Sequence, residues 1–164
     1  MLLGKDLRSI SRAEEVVRIV EGQQSFDDLF KLLLHHERLL VMRAADAIEK
    51  ITETRGEFLR PHKAQLLSLL KSALHKELKW HLALLITRVE LSTEELREVW
   101  AILRYWTQNP NESKIVRVHA LQGLFDLAHL HTHLKEAFRE ILHTVEHEQI
   151  PSLQARIKKL KSRI

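Results

Sequence analysis

A set of apolar residues returns along this chain at a nearly constant interval, and that interval restricts the fold more than any other feature. Leu40, Ala44, Ala47, Ile48 and Ile51 share one helix face, and a shift of 38 residues gives Leu78, Leu82, Leu85, Ile86 and Val89. A second shift of 38 gives Val116, Ala120, Gly123, Leu124 and Leu127. A last shift of 37 gives Leu153, Ile157, Leu160 and Ile164, with Lys161 interrupting the fourth column. A helical face that recurs at this period means a two-helix unit that cannot bury itself alone and stacks on its neighbours.

Start and stop signals divide the chain consistently with that period. Ser11-Arg12-Ala13-Glu14 reads as a capping box opening a helix over about 12–21, with Gly22 in the C′ position that ends it. Ser25 to Asp28 opens a second helix by the same chemistry, and a third spans about 38–53. Pro61 suits the first turn of a fourth, because the N–H it lacks has no helical acceptor there. Ser92-Thr93-Glu94-Glu95 is another capping box, opening a helix that Asn109-Pro110 closes, and further helices start near Ser113, Thr132 and Pro151, roughly nine in all. Only four Gly and three Pro occur, too few for the turns of a sheet protein. A chain of 164 residues with 45% hydrophobic and 29% charged residues suits a single globular domain. The absence of Cys excludes disulfides and thiolate chemistry. No apolar run is long enough to span a bilayer or open as a signal core, so a soluble, cytoplasmic protein is expected.

Val116-Arg117-Val118-His119-Ala120-Leu121-Gln122-Gly123-Leu124 resembles the second-helix pattern of a HEAT repeat, in which Val-Arg precedes small residues and a small-Leu pair. Lys79 takes the Arg position one repeat earlier, and Val41 replaces it in the third helix. The resemblance to the HEAT/armadillo superfamily covers about residues 26–164. It implies an all-α, right-handed α-α superhelix of about four two-helix repeats (25–55, 57–90, 92–130 and 132–164) after an N-terminal helix in 1–24. Gly123, in the middle of a helix, points to close approach of two helices.

Catalytic readings find little support. His143-Thr144-Val145-Glu146-His147 spells the H-x-x-E-H of inverted zinc peptidases, but those need a third ligand well downstream, and a basic tail without acids follows instead. His129, His131 and His133 gather where one helix gives way to the next, without a carboxylate or Cys spaced to complete a set. His35, His36 and His119 read as structural. Phosphate-binding and serine-hydrolase motifs are absent. No catalytic residue, metal or cofactor is therefore assigned.

A binding surface is the better expectation. Trp100 and Trp106 fall in register with Leu96 and Leu103 and read as core, whereas Trp80 lies two residues after Leu78, roughly opposite the buried columns. The same outward stripe runs through Met42 and Asp46, then Trp80 and Leu84, then Val118, Gln122 and Phe125. Second helices line the concave side of HEAT-like stacks, so the resemblance implies a groove that holds a protein or peptide partner around Trp80. The competing reading is that these residues pack between repeats. An alternative function is nucleic-acid binding, since one HEAT-like branch comprises DNA alkylation repair glycosylases, for which Trp80 and Asp126 are the nearest residues here. The formal charge of +4 is only mildly basic. The tail places Arg156, Lys158, Lys159, Lys161 and Arg163 beside the apolar stripe of Leu153, Ile157, Leu160 and Ile164. Such a helix either caps a stack or contacts an anionic partner, and capping is the reading preferred.

Overall fold

The computed structural model describes residues 10–163, with side chains from residue 15 onward. The chain divides into two compact units, Met1–Lys63 and Ala64–Ile164. Among the described residues there are nine α-helices and no strand.

The first unit holds α1 (Ile10–Ile19), α2 (Gln23–Lys31) and α3 (Arg38–Thr52), followed by the 3-10 segment Gly56–His62. The α1 boundary lies two residues earlier than its capping box suggests, and the side chains of Ser11 and Glu14 lie outside the described residues. Gly22 does not end α1 but stands before α2, with extended dihedrals of φ −150° and ψ −179°. Ser25, expected as a cap, occupies the first turn instead. Its hydroxyl accepts from the Gly22 N–H at 3.3 Å and donates to the Gly22 carbonyl at 2.9 Å. Pro61 likewise falls in the 3-10 segment, ahead of the next α-helix.

Leu40, Ala44, Ala47, Ile48 and Ile51 are all buried, as the repeat frame requires, and α3 packs on both α1 and α2. Asp27 and His62 add a polar link that no local motif announces: His62 Nε2 lies 2.6 Å from Asp27 Oδ1, and its ring stacks on Phe30 at 4.0 Å. Hydrogen bonds from Gln23 and then His62 hold the Asp27 carboxyl below the ordinary carboxylate range.

The second unit runs from α4 (Lys63–Ser72) through α5 (Lys76–Leu85), α6 (Thr93–Gln108), α7 (Lys114–Leu130), α8 (Lys135–Val145) and α9 (Pro151–Lys161). Two caps match the sequence closely. Ser92 Oγ accepts from Glu95 N–H at 3.2 Å while Glu95 Oε2 accepts from Ser92 N–H at 2.7 Å, and Ser113 Oγ accepts from Val116 N–H at 3.4 Å. The columns are buried here too, apart from half-buried Leu78 in the first turn of α5; Ile164 lies outside the described residues.

The middle of this unit is α7, which packs on α5, α6, α8 and α9. Gly123 sits where α7 meets α5, and a Cβ there would lie 2.5 Å from the Ala83 carbonyl oxygen and 3.1 Å from Leu103 Cδ1. The close approach expected of this glycine is therefore present.

Two largely covered cations repeat with the helices. Lys79 on α5 pairs with Glu112 at 2.6 Å, both side chains largely covered, and its ammonium lies 5.4 Å from the Trp106 ring centre. One period later, Arg117 on α7 is only 1% exposed. Its Nε donates to the Thr107 carbonyl at 2.8 Å and its terminal nitrogen reaches Glu148 at 2.6 Å. Each cation ties a second helix to the loop that opens the next one, and burial is tolerable because charge and donors are both satisfied.

Candidate interaction face

Spacing on the helices builds the face in the second unit. Trp80 and Leu84 stand four residues apart on α5, and His119, Gln122 and Asp126 follow at intervals of three and four along α7, so each set shares one side of its helix. All five are half-buried. The Trp80 indole is near two imidazoles, tilted at 5.3 Å from the His81 ring and stacked at 6.2 Å on that of His119. His119 is oriented by its own helix, since Nδ1 donates to the Ile115 carbonyl at 2.8 Å.

Beyond His119 the face becomes polar. Arg156 on α9 donates to Gln122 Oε1 at 2.5 Å, and Gln122 Nε2 donates to Asp126 Oδ1 at 2.8 Å. Burial raises the Asp126 carboxyl above its usual range, against the hydrogen bond from Gln122 and the nearby charges of Arg163, Arg88 and Arg156. Burial is what disfavours the charged carboxyl here, and the three guanidinium groups offset only part of that.

Other expected members of the stripe lie elsewhere. Val118 and Phe125 are 8% and 7% exposed and so contribute little surface. The reason is the central position of α7: 10 of its 17 residues are buried, so the side opposite α5 is covered as well. Phe125 meets Phe138 edge to face at 5.7 Å and carries the Arg163 guanidinium 5.5 Å from its ring centre. Met42 and Asp46 belong to the first unit, where both are half-buried and Asp46 pairs with Lys50 at 3.0 Å. Within the basic tail, Arg156 and Arg163 turn toward α7, Lys161 pairs with Glu146, and Lys158 and Lys159 are exposed.

Trp106 is core at 5% exposure, but Trp100 is not. Val99 takes the buried position beside Leu96 and Leu103, which leaves Trp100 half-buried at the edge of the apolar side of α6. There it lines a cleft of about 370 Å³ with Leu91, Leu96, Arg97, His131, His133 and Leu134. The cleft joins residues more than thirty positions apart, and the one local signal for it is the pair of histidines at the α7–α8 corner. His129 does not join that pair, stacking instead on Phe125 at 6.2 Å. His35 and His36 are exposed and stack on each other at 4.2 Å.

A family model for the HEAT repeat domain matches residues 5–164. The chain belongs to this family. No curated protein matches it. HEAT repeat domains are typically non-catalytic, and they commonly serve as repeat-based scaffolds that mediate protein interactions. Among the described residues no helix is long and apolar enough to cross a membrane.

Proposed function

We propose that the chain is a non-catalytic interaction module that holds a protein or peptide segment on the α5–α7 face, with Trp80 as the anchor. The observation that carries this reading is the juxtaposition of a half-buried indole, stacked on His119, with the Arg156–Gln122–Asp126 chain of hydrogen bonds. Tryptophan and arginine are over-represented among residues that dominate binding energy, and an apolar anchor beside oriented polar groups supplies both affinity and register. The three arginines around Asp126 favour a ligand that brings a carboxylate next to its apolar anchor. Met42 and Asp46 offer a second contact area in the first unit.

Selection of displayed peptides on the full chain, followed by titration of the selected peptide, tests this reading. Trp80→Ala is expected to preserve the circular dichroism spectrum and to weaken peptide binding by about tenfold or more, a loss of at least roughly 1.4 kcal/mol. A peptide that binds Trp80→Ala as tightly as the parent chain would place the site elsewhere. Affinity for duplex DNA that falls steeply with salt, with no peptide selected, would favour the nucleic-acid alternative.

A further inference from the structure

His143, Glu146 and His147 lie together at the end of α8, away from the α5–α7 residues described above. His143 is in the last turn of the helix, Glu146 is its C-cap, and His147 follows in the turn. Their three nearest donor atoms all lie within 4.8 Å of one another. Glu146 Oε1 is 3.5 Å from His143 Nδ1 and 3.7 Å from His147 Nε2. Two imidazole nitrogens and a carboxylate oxygen are the donor set of a borderline divalent ion.

We propose that these three side chains form a binding site for a divalent ion of the zinc class, and that Lys161 is the cation it competes with for Glu146. With zinc–nitrogen and zinc–oxygen distances near 2.0–2.2 Å, donors at a tetrahedral angle stand roughly 3.3–3.5 Å apart. The two observed nitrogen–oxygen separations are within a few tenths of an ångström of that, and rotation of the imidazoles must bring their two nitrogens, now within 4.8 Å of each other, to the same spacing. Both histidine side chains are 76% exposed, which leaves those rotations unobstructed and the entry path open. The end of α8 also carries the negative pole of the helix, which favours a cation.

The arrangement differs from the H-x-x-E-H peptidase that the sequence brings to mind. There the glutamate is a base and the third ligand comes from downstream; here Glu146 is itself the third donor, and water would complete a tetrahedron. Glu146 Oε2 is held by Lys161 from α9. An ammonium on one carboxylate oxygen withdraws charge from the other, so Lys161 lowers the affinity of the site for a metal.

Calorimetric titration of the full chain with zinc chloride at neutral pH, with magnesium chloride in parallel, tests the assignment. One zinc per chain is expected, in the micromolar range, with no magnesium uptake, because magnesium prefers a full shell of oxygen donors. His143→Ala with His147→Ala is expected to abolish the event, and Lys161→Met to tighten it by about threefold or more, the direction set by the competing charge. Each variant changes exposed side chains, so circular dichroism matching the parent spectrum verifies its fold. Zinc uptake that is absent from the parent chain, or that survives the double histidine variant by using His131 and His133, overturns the site. Unchanged affinity in Lys161→Met overturns the competition.

Discussion

Replacing Gly123 with alanine sets two opposed quantities against each other. In an exposed helix interior the change stabilises by about 0.8–1.0 kcal/mol, because glycine loses more backbone freedom on folding. At this position the new methyl would lie 2.5 Å from the Ala83 carbonyl oxygen, where an ordinary carbon–oxygen contact is about 3.3–3.6 Å. The obstacle is backbone within α5, so no rotamer change relieves it; α5 and α7 must separate by nearly an ångström, or the helix must bend. Overpacking of this kind costs typically about 1–3 kcal/mol, and an immovable neighbour places it at the upper end. Subtracting the propensity gain leaves a net loss of about 1–2 kcal/mol. For a chain of this length that corresponds to a fall of roughly 2–8 °C in melting temperature. Urea titration should show a lower midpoint with an unchanged slope. A Gly123→Ala chain that melts at or above the parent temperature would refute the close approach and return Gly123 to the status of an ordinary weak point in a helix.

Two further outcomes follow from the same unit. Asp126→Asn keeps the shape of the side chain and removes a charge that burial disfavours. Because the folded pKa is raised, the carboxylate costs stability above that pKa and the cost disappears as pH falls through it. The variant should therefore melt at or above the parent temperature at neutral pH, with the difference vanishing in mild acid; a large loss at neutral pH would show that the three arginines outweigh burial. Deletion of residues 151–164 removes Leu153, Ile157 and Leu160, all within 3% of full burial and packed chiefly on α7. At about 1.5–3 kcal/mol each, an upper estimate, their loss is comparable to the whole stability of a small domain, so aggregation or a much lower melting temperature is expected. An unchanged melting curve would make α9 a recognition arm and not a cap.

The repeat period was legible because burial on a helix is periodic, and a residue such as Ala120 or Leu82 announces its side by its neighbours at three and four. Ser92 and Ser113 were legible because a cap is a local event. What periodicity cannot give is the number of helices that press on one. For α7 there are four, and that is why Val118 and Phe125, on the side opposite the column, are buried as well. Trp100 failed in the opposite direction: it is one residue from the buried Val99, a rotation too small for a pattern to resolve. Pro61 and Gly22 show the ambiguity of residues that suit both a helix end and the start of the next segment. The Asp27–His62 contact and the Arg156–Gln122–Asp126 chain join residues about one repeat apart, and no local motif contains them. The spacing between partners, near 35 residues in both, is the one trace they leave in the sequence.

The paired charges of Lys79 with Glu112 and Arg117 with Glu148 bear on how such a chain can lengthen or shorten over evolutionary time. The two cations are 38 residues apart and the two carboxylates 36, so both follow the period of the helices. Duplication or excision of a whole period delivers each incoming cation to a carboxylate already in place. An insertion that shifts one member of a pair out of register leaves the buried Arg117, or the largely covered Lys79, without its carboxylate, a cost of about 3–5 kcal/mol for a fully buried pair. The pairs thus act as a reading frame in three dimensions, under which gain or loss of structure proceeds by entire repeats.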